Sequence, residues 1–136
     1  MDLDFLAIAL GAVSSMVVGT VWFRPRVFGN AWQSLTGVDP NAPRTPAFTY
    51  TASFVAAAVT ATALDLAVIA ATGWWDGSRI ALALVTATTL WAGFTLATSA
   101  VHYLFEGRPG RLLAINSGHQ LATLMVMATI LGLLTR

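Results

Sequence analysis

The sequence predicts an all-α integral membrane protein: an up-down bundle of four transmembrane helices with a short interfacial helix after the first span. Three observations carry this. The 136 residues are 57% hydrophobic and only 10% charged, against about 25% charged in an ordinary soluble domain. Mean hydropathy is +0.73, and a soluble chain of this size could not bury so much apolar surface, so a bilayer is its natural solvent. Four segments approach the roughly 20 apolar residues that cross about 30 Å of hydrocarbon. They fall at about 3–23, 47–72, 80–103 and 112–134, within a single membrane domain over residues 1–136.

The same composition closes off several function classes. Net charge is +1, with no basic excess to hold nucleic acid. The absence of cysteine excludes disulfides, thiolate nucleophiles and cysteine metal sites. No Gly-x-Ser-x-Gly elbow and no Gly-rich phosphate loop is present. Zinc and iron sites usually take three or four protein ligands. Only His102, His119, Glu106 and Asp65 offer themselves, at different depths and without a His-x-x-x-His or Glu-x-x-His pair. Two histidines at unequal depth also make a poor axial pair for haem. No metal, cofactor or catalytic residue is expected.

The first span follows an acidic start, "MDLDFLAIAL", unlike the basic n-region of a secretory signal peptide, so it reads as retained. Ala7, Gly11, Ser15 and Gly19 form a small-xxx-small run of the kind that lets helices approach closely. Gly11, Ser15 and Gly19 are the expected helix-packing residues, and Ile8, Ala12, Ser15, Gly19 and Trp22 fall on one face. The span ends in "GTVWFRPRVFGNAW". Trp22 and Phe23 read as headgroup anchors, Arg24 and Arg26 as the charges that fix this end, and Pro25 as the helix stop. Val27, Phe28, Ala31, Trp32 and Leu35 share a helical face, which predicts an interfacial helix over about 26–36 with Trp32 at headgroup level. A proline-punctuated loop, "TGVDPNAPRTP", follows.

The second span carries Thr51, Val55, Ala58, Thr62 and Asp65 on one face. Asp65 is the only acid or base deep inside a span, where insertion costs roughly 2.5–3.5 kcal/mol near a helix centre. It reads either as a proton carrier or cation ligand facing the interior, or as a hydrogen-bonded side chain that fixes packing or meets a neighbouring subunit. "GWWDGS" turns the chain, with Trp74 and Trp75 at the opposite interface. The third span places Thr88, Trp91, Thr95, Thr98 and His102 on one face, with His102 beside water near Glu106. The fourth places Asn116, His119 and Thr123 together and Gln120 on the margin. His119 reads either as a titrating or ligand-contacting group or as a neutral imidazole bonded to Asn116, Gln120 or a hydroxyl. The candidate intramembrane polar site is therefore Asp65, Trp91, His102, Asn116, His119 and Gln120.

All five prolines fall outside the spans. This predicts uninterrupted helices and weighs against a transporter built on broken ones. Short second and third connections favour antiparallel neighbours. The first and third connections hold Arg24, Arg26, Arg44, Arg108 and Arg111, while the opposite side holds Arg79 and Arg136. By the positive-inside rule both termini are expected outside and the long first loop in the cytoplasm, with the chain in the inner (plasma) membrane.

"GTVWFRPRVFGNAW", through Gly19, Trp22, Phe23, Pro25, Phe28, Gly29 and Trp32, resembles the opening signature of the bacterial membrane family called domain of unknown function 1761. "WAGFTLATSAVHYLFEGRP", through Trp91, Gly93, Phe94 and Glu106, is similar to a second patch of that family. "LLAINSGHQLATLMVMATIL", through Ile115, Asn116 and Gly118, is similar to a third. Where members commonly carry an aromatic residue, this chain has His119. The resemblance spans nearly the whole chain. It implies four spans in one domain and brings no activity or substrate.

Three functions are consistent with this reading. The favoured one is a module that acts through helix contacts, as a homo-oligomer or as an accessory to another membrane protein within the lipid bilayer, using the small-residue face of the first span. The second is a proton or small-solute channel or carrier using Asp65 and His119. The third is a binder or intramembrane enzyme for a hydrophobic small molecule, with a cavity lined by Trp91, Asn116 and His119.

Overall fold

A computed structural model describes residues 2–135; Arg136, counted above on the outer side, lies outside the described residues. In chain order the elements are α1 (Phe5–Trp22), a π turn (Pro25–Gly29), α2 (Asn30–Thr36), α3 (Pro46–Ala71) running into a 3-10 turn (Thr72–Trp74), α4 (Arg79–Leu90), a π segment (Trp91–Leu96), α5 (Ala97–Glu106) and α6 (Gly110–Leu134). Four stretches are long and apolar enough to cross a membrane: Phe5–Trp22, Pro46–Trp74, Arg79–Glu106 and Gly110–Leu134. Only 17–33% of each one's most apolar window is buried inside the chain. The rest faces outward and is apolar, as lipid contact requires.

The helix starts follow from local chemistry. The Asp4 carboxylate accepts from the Ala7 N–H at 3.0 Å and caps α1, and Ser78 Oγ accepts from the Ala81 N–H at 3.2 Å and caps α4. Both satisfy amides that an N-terminus leaves unpaired. Pro46 opens α3, where a missing N–H costs nothing. Gly37 and Gly107 close α2 and α5 in left-handed geometry.

The spans form a ring in sequence order. α1 lies on α3, α3 on α4, α4 on α6, and α6 closes on α1. The end that carries Asp4, residues 72–78 and Leu134 (the termini end) is tightly packed. Ala7, Ala12, Ala61, Leu64, Ala83, Ala87, Met127, Ala128 and Leu131 are buried there. Gly11 makes this possible, since a Cβ added to it would already stand 3.4 Å from the Ala61 Cβ and 3.6 Å from Met127. The first half of the small-residue face of α1, Ala7 and Gly11, is thus packed within the chain, while Ser15 and Gly19 further along it are only half-buried. At the other end (the loop end) the bundle splays, and every residue of 46–56 in α3 is exposed.

Asp65 sits in the packed end with no exposed surface. Its Oδ2 accepts from the Asp4 N–H at 3.4 Å, so it meets the start of α1, where free amides and the positive end of the helix dipole favour a carboxylate. Its Oδ1 is buried with no hydrogen-bond partner among the described residues.

Two departures from the expected helices matter for the site. The third span is not uninterrupted: Trp91–Leu96 is a π segment with no proline in it. A π turn inserts a residue into the helical phase. Beyond it Ser99 is half-buried and Tyr103 buried, while Thr98 and His102, on the face expected inside, are exposed. The second departure follows α1. The helix expected over about 26–36 begins at Pro25 as a π turn, closed by the Gly29 N–H donating to the Arg24 carbonyl at 2.9 Å. A Cβ at Gly29 would stand 2.2 Å from the Phe23 carbonyl oxygen, so only glycine fits. The turn folds α2 back: Phe28 packs on Trp22 with centroids 4.6 Å apart, and Trp32 meets Phe23 edge-on at 5.7 Å.

Candidate functional site

The polar segment Ile115–Gln120 of α6 is the meeting point of the loop end. Trp22, expected as a headgroup anchor, instead turns inward, and its indole N–H donates to the Ile115 carbonyl at 3.2 Å. From the opposite flank the Trp91 indole donates to the Ser117 carbonyl at 2.8 Å. A main-chain carbonyl has two lone pairs, so each can take an indole in addition to its helical bond. Gly118 leaves room for this arrangement, since a Cβ there would stand 3.2 Å from the Trp22 ring. Asn116 Nδ2 donates to the Tyr103 hydroxyl at 2.7 Å, and Ser117 Oγ donates to the Leu113 carbonyl at 2.6 Å. The Arg108 guanidinium lies over the Tyr103 ring, 4.3 Å from its centroid, and pairs with Glu106 at 3.6 Å.

His119 is held differently. Phe23 and Trp22 flank its ring at centroid distances of 5.0 and 6.2 Å. Its Nε2 is buried and has no hydrogen-bond partner among the described residues, and the same holds for Thr123 Oγ1, one turn further along that face. Neither Asn116 nor Gln120 bonds the imidazole. Leaving such a group unpaired in a low-dielectric interior costs about 1–3 kcal/mol. Two unpaired groups on one helix face therefore call for a partner outside the chain.

Both sides of His119 are open. One cleft, of about 510 Å³, lies between α6 and the third span and is lined by Thr95, Ser99, Tyr103, Asn116, Ser117 and Gln120, with Phe94 and Leu113. A second, of about 660 Å³, lies between the loop-end halves of α1 and α3 under α2 and the first loop. Its walls include Ser15, Met16, Gly19, Phe23, Trp32, Arg44, Thr49, Tyr50 and Ser53. His119 borders both. Gly19 keeps the second open toward the imidazole, since a Cβ there would reach 3.5 Å from Nε2.

Of the six residues expected to form a polar site, Asn116, His119 and Gln120 line the first cleft, and Trp91 braces their helix. Asp65 does not join them. Asp4 and Gly19, the α1 neighbours of Asp65 and His119, are about four turns apart, roughly 22 Å. His102 is exposed, as the reading beside water near Glu106 has it, and lines neither cleft; the buried position next to it belongs to Tyr103. Among the described residues no group of three or more His, Asp or Glu side chains could hold a metal ion. Tyr103 and Ser117 line the first cleft and are not among the six; only the phase slip of the π segment points to Tyr103. Thr123, i+4 from His119, is buried and lines neither cleft.

The arrangement is thus a helical membrane bundle packed at one end and cleft at the other, with one polar helix segment at the junction. A family model described as "Protein of unknown function (DUF1761)" matches residues 6–132, and the chain belongs to that family. No curated protein and no solved structure matches it.

Proposed function

We propose that the protein is a ligand-binding module of the plasma membrane, with its site in the two clefts that share His119. The observation that carries this reading is the buried, unpartnered Nε2 of His119 at the border of both clefts. An imidazole nitrogen there can accept or donate one hydrogen bond to a polar group of the ligand, Asn116 and Gln120 add amide groups on one side, and the ring of Phe23 supplies apolar contact on the other. Clefts of this size fall in the range of small-molecule sites, about 300–1,000 Å³. The arginine distribution supports an orientation with the loop end, and so the clefts, on the cytoplasmic side.

A carrier that uses Asp65 and His119 together finds less support. Asp65 lines neither cleft, and the packed residues Gly11, Ala12 and Met127 lie between it and His119.

The test is native mass spectrometry of the protein purified in mild detergent. A bound small molecule is expected in the wild type. In His119→Phe it should be lost or weakened with helix content unchanged by circular dichroism, and in Asp65→Asn it should be kept. A wild type free of adducts, or an adduct indifferent to His119→Phe, would overturn the proposal.

A further inference from the structure

We propose that the larger cleft holds the acidic headgroup and upper chain of an anionic phospholipid, with Arg44 as the anion's partner. This rests on the ligand-binding reading and names the class of ligand. Among the described residues, Arg44 is the only charged one that lines this cleft, and no carboxylate lines it. Its guanidinium donates to the Asp39 main-chain carbonyl at 3.4 Å and makes no ion pair among the described residues. It therefore presents an uncompensated charge with donors to spare. A guanidinium offers the planar fork that matches a phosphate oxygen pair, and does so better than an ammonium.

The other walls are mixed. The amides of Asn30 and Gln33 and the hydroxyls of Thr49 and Ser53 offer neutral hydrogen bonds, and Met16, Phe23 and Trp32 offer apolar contact. A single cation among neutral polar and apolar walls suits an amphiphile that carries one anionic group. The cleft also lies at the end of the bundle richer in arginine, the end expected to face the leaflet that holds anionic lipid. A zwitterionic headgroup offers the same phosphate but adds an ammonium beside it, which opposes the charge of Arg44.

The test uses the full chain, delipidated in mild detergent and titrated with phosphatidylglycerol, with phosphatidylcholine of the same chains, or with oleate. Retained lipid is read by native mass spectrometry and oligomeric state by light scattering. One phosphatidylglycerol is expected to be retained roughly tenfold better than phosphatidylcholine, because the choline cation of the latter offsets the attraction between its phosphate and Arg44. Arg44→Gln should bring that ratio close to one, while Arg111→Gln, on the other connection and outside the cleft, should leave it unchanged. Retention without charge preference, or with a preference untouched by Arg44→Gln, overturns the inference and leaves the ligand-binding reading standing. Oleate outcompeting phosphatidylglycerol, or a lipid-free dimer protecting the cleft, also overturns it. Retention of no amphiphile at all counts against the inference and the ligand-binding reading together.

Discussion

The indole N–H of Trp91 donates to the main-chain carbonyl of Ser117 at 2.8 Å, and Trp91 is also the first residue of the π segment. The point where the third span leaves α geometry is thus pinned to the polar segment of α6. Trp91→Phe keeps a ring and removes the bond. It is expected to lower stability by about 1 kcal/mol, measured as a shift in the denaturation midpoint in detergent. An unchanged midpoint would mean that the indole does not brace the two spans.

The π turn after α1 gives a sharper contrast. Gly29→Ala forces a Cβ to within 2.2 Å of a backbone oxygen. It is expected to cost about 1–3 kcal/mol or more, as overpacking against an unyielding wall does. Gly93→Ala meets nothing within 4 Å and is expected to be neutral or to stabilise by up to about 1 kcal/mol through lost freedom of the unfolded chain. Thermal unfolding of the two variants side by side checks this; equal effects would contradict the close approach at Gly29.

Much of the fold could be read from the residues, because span length and apolarity are properties of local sequence. The four spans lie within a few residues of the expected bounds, and Asn116, His119 and Gln120 line the cleft. What escaped was phase and partnership. The face through Thr95, Thr98 and His102 was drawn at constant helical pitch. The π segment, unmarked by proline, shifts that phase and brings in Ser99 and Tyr103. Trp22 carried every local mark of an interfacial anchor, and only the α6 carbonyl of Ile115, distant in sequence, turns it inward. Asp65 looked like a companion of His119 because both are polar and intramembrane. Asp65 comes late in the second span and His119 early in the fourth, and since these two spans run in the same direction the residues fall at opposite ends.

Asp65→Ala separates structure from binding. It removes the acceptor for the Asp4 N–H and empties a fully buried position. A loss of about 1–3 kcal/mol in stability is expected, with ligand retention unchanged at saturating lipid. If ligand is lost from protein that is still folded, Asp65 acts on the clefts and the division into two ends is wrong.

Orientation can be checked directly because the chain has no cysteine. Asn41→Cys in the first loop is expected to react with a membrane-impermeant maleimide only after the cell membrane is permeabilised. Asp76→Cys in the exposed middle turn is expected to react in intact cells. The reverse pattern would put the clefts on the outer side.

The central claim is that His119 meets a ligand, and its ring nitrogens report this most directly. The chain has only two histidines, and the exposed His102 serves as an internal control once His102→Gln has assigned the signals. In bilayers, ¹⁵N solid-state NMR should show the His119 ring signals moving between protein as purified and protein delipidated and then reconstituted in phosphatidylcholine alone, while those of His102 stay fixed. His119 signals identical in the two preparations would contradict the account.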